Sequence, residues 1–269
     1  MRRLQRAARP VAWRRAAFVA SCLWAIVVAP ASACTGAEEC VLDDRAYHVR
    51  EPDGWDGAAP LPVLLHFHGW GRQGETIMNH GRIAGATVPR GVLLVAPDGL
   101  DRSWAFGAGV DRDIRFARAV LDDVAARYPL DGRLIVSGYS WGALMAARFA
   151  CDGGTAVDAL LLVSGALRGD APCAGRPLRV AHVHGTDDRV LAFPYGPDGG
   201  LTEAVALWRR ALGCGDAAAR RYDWQAVSWL THDRHEWDCA EGRTLSMDVH
   251  PASHLIPRGW FARILDEVL

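Results

Sequence analysis

The chain has 269 residues, with 30 basic and 31 acidic side chains and a formal net charge of −1. Every basic residue is arginine, and the absence of lysine excludes a P-loop nucleotide site, a lysine Schiff base and a Ser-Lys hydrolase. The near-neutral charge provides no basic face for nucleic acid. Half of the residues are hydrophobic and 23% are charged, which is the composition of a folded globular protein.

Residues 1–33 have the pattern of a cleaved secretory signal peptide. Six arginines precede the uncharged apolar run 16–28, and the small-x-small sequence Ala31-Ser32-Ala33 follows it. This run is shorter than the ~18 residues that a membrane span needs, so we expect no stable membrane insertion. Cleavage leaves 24 arginines against 31 acidic residues, a net charge of −7, in a protein that is secreted or periplasmic.

Six cysteines follow the predicted signal peptide, and an even number is typical of disulfide bonding in an oxidising compartment. Pairing of cysteines that are close in sequence gives the candidate bonds Cys34–Cys40, Cys151–Cys173 and Cys214–Cys239. The alternative is a lipoprotein in which Cys34 is acylated after cleavage and Cys40 is left unpaired.

Apolar periodicity predicts strands that alternate with helices along the rest of the chain. In chain order, the predicted elements are strands 61–67 and 91–96, helix 114–127, strand 133–137, helix 144–150, strands 159–163 and 178–183, and helices 202–212 and 260–269. This alternation favours a single α/β domain, residues 34–269, with a mostly parallel central sheet flanked by helices.

The sequence Gly138-Tyr139-Ser140-Trp141-Gly142 lies between a predicted strand and a predicted helix, which is the context of a nucleophile elbow. In such a turn Ser140 is the nucleophile, and the free N–H groups at the helix start face the developing oxyanion. The backbone N–H of Trp141 is therefore one predicted oxyanion donor. The second is the N–H of Trp70, which follows His68-Gly69 just after strand 61–67.

A serine nucleophile needs a base and an acid, and in this fold the chain order is Ser, then Asp or Glu, then His. Asp187 and Asp188 follow strand 178–183, and His250 and His254 follow the apolar stretch 245–249. Position along the chain does not decide between the two aspartates or between the two histidines. A zinc site built from the other histidines is the alternative, but no metal signature follows the His66-x-His68 pair, so we expect no metal and no cofactor.

These motifs resemble the secreted polyhydroxybutyrate depolymerase-like esterases, which include feruloyl and acetylxylan esterases, of the α/β-hydrolase superfamily. The resemblance covers about residues 40–265, and its matching segments are Tyr47-His48-Val49, Pro52-Asp53-Gly54-Trp55, Leu61-Pro62, His66-Phe67-His68-Gly69, Pro97-Asp98-Gly99, Ser103-Trp104, Gly138-Tyr139-Ser140-Trp141-Gly142, His184-Gly185-Thr186-Asp187-Asp188 and His254-Leu255-Ile256-Pro257. It implies the α/β-hydrolase fold, with Asp188 as the triad acid and His254 as the base. The chain departs from the family at Trp141, where asparagine is usual, and at Ala252-Ser253, which replaces Gly-Gly.

The sequence therefore predicts an exported serine esterase that cleaves a small-molecule or oligomeric ester through Ser140, His254 and Asp188. Its first expected subtype is polyhydroxybutyrate depolymerase-like. One alternative is a feruloyl or acetylxylan-type carbohydrate esterase. The other is a non-catalytic exported binding protein that has kept the hydrolase fold.

Overall fold

A computed structural model describes residues 34–35, 38–105 and 109–269. The predicted signal peptide, residues 1–33, lies outside this part of the chain. The strands are β1 Cys40–Leu42, β2 Arg45–Arg50, β3 Leu61–Phe67, β4 Leu93–Pro97, β5 Leu130–Tyr139, β6 Ala159–Val163, β7 Arg179–Gly185, β8 Arg220–Val227, β9 Leu230–Asp238 and β10 Thr244–His250. The α-helices are α1 Glu75–Met78, α2 Ala84–Thr87, α3 Val110–Arg127, α4 Trp141–Asp152, α5 Ala206–Leu212 and α6 Trp260–Val268.

The ten strands of the described residues form one sheet in the order β1-β2-β4-β3-β5-β6-β7-β10-β9-β8. The six central strands, β4 to β10 in this order, are all parallel to their neighbours. Two antiparallel strands extend the sheet at each edge. The predicted parallel sheet is confirmed at its centre, and the whole sheet is mixed.

Helices cover both faces of the sheet, which explains why its central strands are apolar along their whole length. Along β3, Val63 and Leu65 belong to a core that includes Phe149 of α4. Leu64, which points to the opposite face, belongs to a second core that includes Ile264 of α6. The predicted site residues follow the carboxyl ends of three central strands: Ser140 follows β5, Asp188 follows β7 and His254 follows β10.

The expected alternation of strand and helix fails after α5, where the antiparallel pair β8–β9 joins the sheet. Along strand β8, Tyr222, Trp224 and Ala226 alternate with polar residues, but most residues of the strand are exposed. Ion pairs from Arg220 to Glu236 and from Arg221 to Asp233 join it to β9. These pairs, the backbone ladder and the stacking of Trp224 on His232 together join β8 to β9.

Three disulfides are present, and they join the pairs Cys34–Cys40, Cys151–Cys173 and Cys214–Cys239. Because Cys34 is bonded to Cys40, its sulfur is not available for acylation, and the lipoprotein alternative is wrong in this structure. Three disulfides suit an oxidising compartment. Among the described residues, no helix has both the length and the apolar character needed to cross a bilayer.

Candidate active site

Ser140 occupies a strained turn between β5 and α4. Its φ of 58° and ψ of −123° are sparsely populated for any residue with a side chain. Its N–H donates to the carbonyl of Val163, 2.9 Å away, which ties the turn to β6. A Cβ on Gly138 would lie against the backbone of Gly142, and a Cβ on Gly142 would lie against the carbonyl of Phe67. Both glycines are therefore needed for helix, turn and strand to approach this closely.

Asp188 follows β7, and its buried carboxylate accepts several hydrogen bonds. Oδ2 accepts from His254 Nδ1 at 2.6 Å, and Oδ1 accepts from the backbone N–H groups of Val190 and Leu191 at 2.9 and 3.0 Å. Asp187 is exposed and makes no contact with His254. Of the two aspartates that the sequence left open, the structure joins Asp188 to a histidine.

His184 also contacts this carboxylate. Its Nε2 lies 2.9 Å from the carbonyl of Leu191 and 3.2 Å from Asp188 Oδ2, and its Nδ1 lies 3.3 Å from Nε2 of His182. Burial lowers the pKa of His184, which favours the neutral ring. A carbonyl only accepts, so the single ring proton is on Nε2 and Nδ1 accepts from His182. Sequence analysis placed His184 in the motif His184-Gly185-Thr186-Asp187-Asp188 but gave it no role in the site. Its position four residues before Asp188 was the signal for this contact.

The loop that carries His254 is fixed through its backbone carbonyls. The hydroxyl of Tyr139 donates to the carbonyl of His254, and Ser164 Oγ donates to that of Leu255, both at 3.2 Å. The rings of Tyr139 and His254 also pack together, with centroids 4.9 Å apart. Since Tyr139 directly precedes Ser140, these contacts hold the imidazole beside the serine turn.

The other candidate base, His250, makes no hydrogen bond to Asp188. It is buried, its Nδ1 accepts from the N–H of Ala252 at 3.2 Å, and burial lowers its pKa to about 3. His254 is thus the histidine that meets Asp188. Within the described part of the chain, no hydrogen bond joins the Ser140 hydroxyl to His254. Tyr139, which precedes Ser140, contacts both the ring and the backbone of His254.

The two predicted oxyanion donors lie on the two segments that adjoin Ser140. Trp141 follows it directly at the start of α4. On the other segment, a Cβ placed on Gly69 would be 3.6 Å from Ser140 Cβ, so the chain at Trp70 passes close to the serine. The indoles of Trp70 and Trp141 also approach each other, with centroids 6.5 Å apart.

A cavity of about 330 Å³ opens beside this turn. Gly69, Tyr139 and Ile256 form the part of its wall nearest to Ser140 and His254. Its wall also includes Ile77, Ile83 and the side chain of Arg72, and most of its lining surface is apolar. Such a cavity can hold a small organic group next to the serine.

The histidines proposed as alternative zinc ligands bond to different groups. His66 Nδ1 lies 2.8 Å from Ser137 Oγ, and His68 Nε2 accepts from the N–H of Gly99 at 3.0 Å. In the part of the chain that the structure describes, no cluster of three or more His, Cys, Asp or Glu side chains could hold a metal ion.

Two curated fungal proteins are similar to this chain in sequence. Feruloyl esterase C of Emericella nidulans is 28% identical over 169 residues, which are 61% of this chain and 60% of that protein. Feruloyl esterase D of Neurospora crassa is 29% identical over 223 residues, 78% of this chain and 73% of that protein. The chain thus spans about three-fifths of the first relative and somewhat more of the second. No family model matches it.

A comparison of structures finds the same overall architecture in an acetyl xylan esterase from Aspergillus awamori. The two align with a TM-score of 0.63 at 14% identity, over 81% of this chain and 94% of that one. At this identity the likeness concerns the fold alone. It confirms the predicted fold class, in agreement with the parallel centre of the sheet and the helices packed on both of its faces.

Proposed function

We propose that this chain, a feruloyl-esterase-like member of the α/β-hydrolase superfamily, hydrolyses carboxylic esters through Ser140, His254 and Asp188. The observation that carries the proposal is the 2.6 Å contact between His254 and the buried Asp188, next to a serine in a strained turn. Residues without a catalytic role would not need this arrangement of serine, histidine and aspartate.

In the proposed reaction Ser140 Oγ attacks the ester carbonyl while His254 Nε2 takes its proton. The hydrogen bond to Asp188 keeps the other ring proton on Nδ1, so that Nε2 is free to act as the base. His254 then returns the proton to the leaving alcohol, and water repeats the sequence on the acyl-enzyme. Catalytic hydrogen bonds often tighten only when substrate binds, which suits the absence of a Ser140–His254 bond here.

The backbone N–H groups of Trp70 and Trp141 are the proposed donors to the oxyanion. Both belong to segments that adjoin Ser140, and the helix dipole of α4 adds to the field at Trp141. One such donor contributes on the order of 10²–10³ in rate. No proposed step requires a metal or cofactor.

For the substrate, the names of the relatives favour a carbohydrate-linked ester over a polyester. Two relatives are feruloyl esterases and the structural neighbour is an acetyl xylan esterase. We therefore place feruloyl or acetyl esters of carbohydrates first, and a polyhydroxybutyrate depolymerase-like activity second. The three disulfides support export to the periplasm or the medium, with residues 1–33 as the cleaved signal.

The test is Ser140→Ala, compared with Ser253→Ala at the exposed serine beside His254. The first variant should lose p-nitrophenyl acetate hydrolysis and labelling by a fluorophosphonate, while its thermal unfolding stays nearly unchanged. The second variant should keep both. Turnover retained in Ser140→Ala contradicts the mechanism. A wild-type protein that is neither labelled nor active is the result expected of a non-catalytic binding protein.

A further inference from the structure

A buried histidine lines the cavity beside the proposed nucleophile. His66 lies in β3, its side chain is fully buried, and it belongs to the same cavity wall as Gly69 and Tyr139. Two contacts hold its ring. Nδ1 lies 2.8 Å from Ser137 Oγ on the neighbouring strand β5, and the ring of Phe261 packs against the imidazole with centroids 6.0 Å apart. The orientation of the imidazole is therefore fixed before a substrate binds.

The second ring nitrogen of His66, Nε2, is buried and has no hydrogen-bond partner among the described residues. An unpaired buried polar group costs about 1–3 kcal/mol, so native proteins rarely keep one without a use. Nδ1 of His80, in the same cavity wall, is buried and unpaired in the same way. The wall thus carries polar atoms that a molecule inside the cavity, water or substrate, can pair.

The bond to Ser137 indicates which nitrogen of His66 carries the proton. Burial lowers the pKa of His66 to about 3, so at pH 7 the ring is neutral and has one ring proton. If Nδ1 carried it, the Ser137 hydroxyl would accept, and both its own proton and Nε2 would lack partners among the described residues. If the hydroxyl donates to Nδ1, Nε2–H alone is unpaired. The second arrangement costs less, and in it Nε2 is a hydrogen-bond donor.

The charge of the cavity wall favours the same kind of ligand atom. Arg72 lies in this wall, and no acidic residue of the described chain lines the cavity. A positive charge attracts the negative end of a carbonyl group. The donor at His66 and the charge at Arg72 therefore both favour an oxygen that accepts a hydrogen bond.

We propose that His66 is a specificity-determining residue, whose Nε2–H donates to an acceptor oxygen of the ester substrate that lies apart from the reacting carbonyl. The oxygen belongs either to the acyl group or to the alcohol, and the donor recognises both in the same way. This inference rests on the proposed esterase function. It concerns a group of the substrate that takes no part in the reaction steps.

Asparagine and glutamine at position 66 separate the roles of the two ring nitrogens. In His66→Asn the amide can replace Nδ1 and keep the bond to Ser137, but no atom reaches the position of Nε2. In His66→Gln the amide can reach the position of Nε2, and the bond to Ser137 is lost instead. His232→Asn is the matched control, because His232 is also buried with unpaired ring nitrogens but does not line the cavity.

Each variant is assayed with two pairs of esters, in which a C=CH₂ group replaces a ketone C=O of similar shape. The acyl pair is ethyl 5-oxohexanoate and ethyl 5-methylhex-5-enoate, and the alcohol pair is 4-oxopentyl acetate and 4-methylpent-4-enyl acetate. In one pair, the ratio of kcat/KM for the ketone to that for the alkene should fall about tenfold in His66→Asn. In His66→Gln and His232→Asn this ratio should stay within about twofold of wild type. The affected pair assigns the oxygen to the acyl group or to the alcohol.

An unchanged ratio in His66→Asn for both pairs overturns the proposal, and so does an equal fall in His66→Gln or His232→Asn. If His66→Asn does not fold, NMR of Ser140→Ala gives the answer: the Nε2–H resonance of His66 should shift when a ketone ester binds and not when its alkene partner binds. A resonance that does not distinguish ketone from alkene overturns the inference, as expected if Nε2 bonds only to water. The proposed function fails by a different result, hydrolysis retained in Ser140→Ala.

Discussion

Replacing Asp188 by asparagine changes one oxygen to an NH₂ group and leaves the size of the side chain unchanged. In the native site Oδ1 accepts from two backbone N–H groups, and Oδ2 accepts from His254 Nδ1 and lies 3.2 Å from His184 Nε2. An asparagine has one acceptor oxygen for these two positions. The orientation of the asparagine amide therefore decides which group faces His254.

The backbone donors of Val190 and Leu191 should hold the asparagine oxygen in the position of Oδ1. The reverse orientation places NH₂ against two buried N–H groups and leaves both unpaired, at about 1–3 kcal/mol each. With the oxygen held there, the NH₂ group points at His254 Nδ1 and donates to it. The ring proton of His254 must then be on Nε2, which can no longer accept the proton of Ser140.

Asp188→Asn should therefore lower kcat/KM for p-nitrophenyl acetate by about 10³–10⁴, or roughly 4–5.5 kcal/mol of transition-state stabilisation. Asp187→Asn makes the same chemical change one residue away, on an exposed side chain, and should change kcat/KM less than about twofold. Thermal unfolding of both variants shows whether the fold is intact. A larger loss at Asp187, or a loss below tenfold at Asp188, refutes this reasoning.

Acid should destabilise the protein, because burial lowers the pKa of His66 and His250 to about 3 and that of His232 to about 4, from 6.5 in the unfolded chain. Below pH 6.5 the unfolded chain binds more protons, so the free energy of unfolding falls by about 1.4 kcal/mol per histidine per pH unit, down to each folded pKa. Urea unfolding at pH 7.5 and 5 measures this dependence, and a free energy of unfolding independent of pH contradicts it. His232→Phe should reduce the slope by at most about 1.4 kcal/mol per pH unit, because other buried histidines also contribute. Replacing Cys151 and Cys173 together by alanine opens a loop with a separation of 22 residues and should cost about 3 kcal/mol. An unchanged melting temperature in that double variant contradicts the expectation.

The centre of the fold was predictable because its signals are local. Strands β3 and β6 were predicted with their observed bounds, since each is a short apolar run buried on both faces. Strand β8, Arg220–Val227, was missed because its apolar residues are few and six of its eight residues are exposed, although Tyr222, Trp224 and Ala226 alternate with polar residues. Buried Arg234 of the neighbouring strand bonds to Asp248 and Glu267, and such pairs form between segments that only the fold brings together.

The candidate site shows the same difference between local signals and contacts that only the fold creates. A five-residue motif and its flanking elements were enough to single out Ser140. Chain order alone could not separate Asp188 from Asp187, because both follow the same strand; the family resemblance favoured Asp188, and the structure gives the contact. The role of His184 was missed, since its spacing of four residues from Asp188 gave the only signal and its bonds to Leu191 and Asp188 depend on the fold.

Each of the three disulfides joins a cysteine to the next one along the chain after residue 33, with separations of 6, 22 and 25 residues. For a chain that enters an oxidising compartment from its N-terminus, the nearest available partner is therefore always the correct one. An oxidase that joins cysteines in order of arrival would complete all three bonds without rearrangement. We therefore expect this protein to form its three disulfides correctly in a host that lacks a disulfide isomerase.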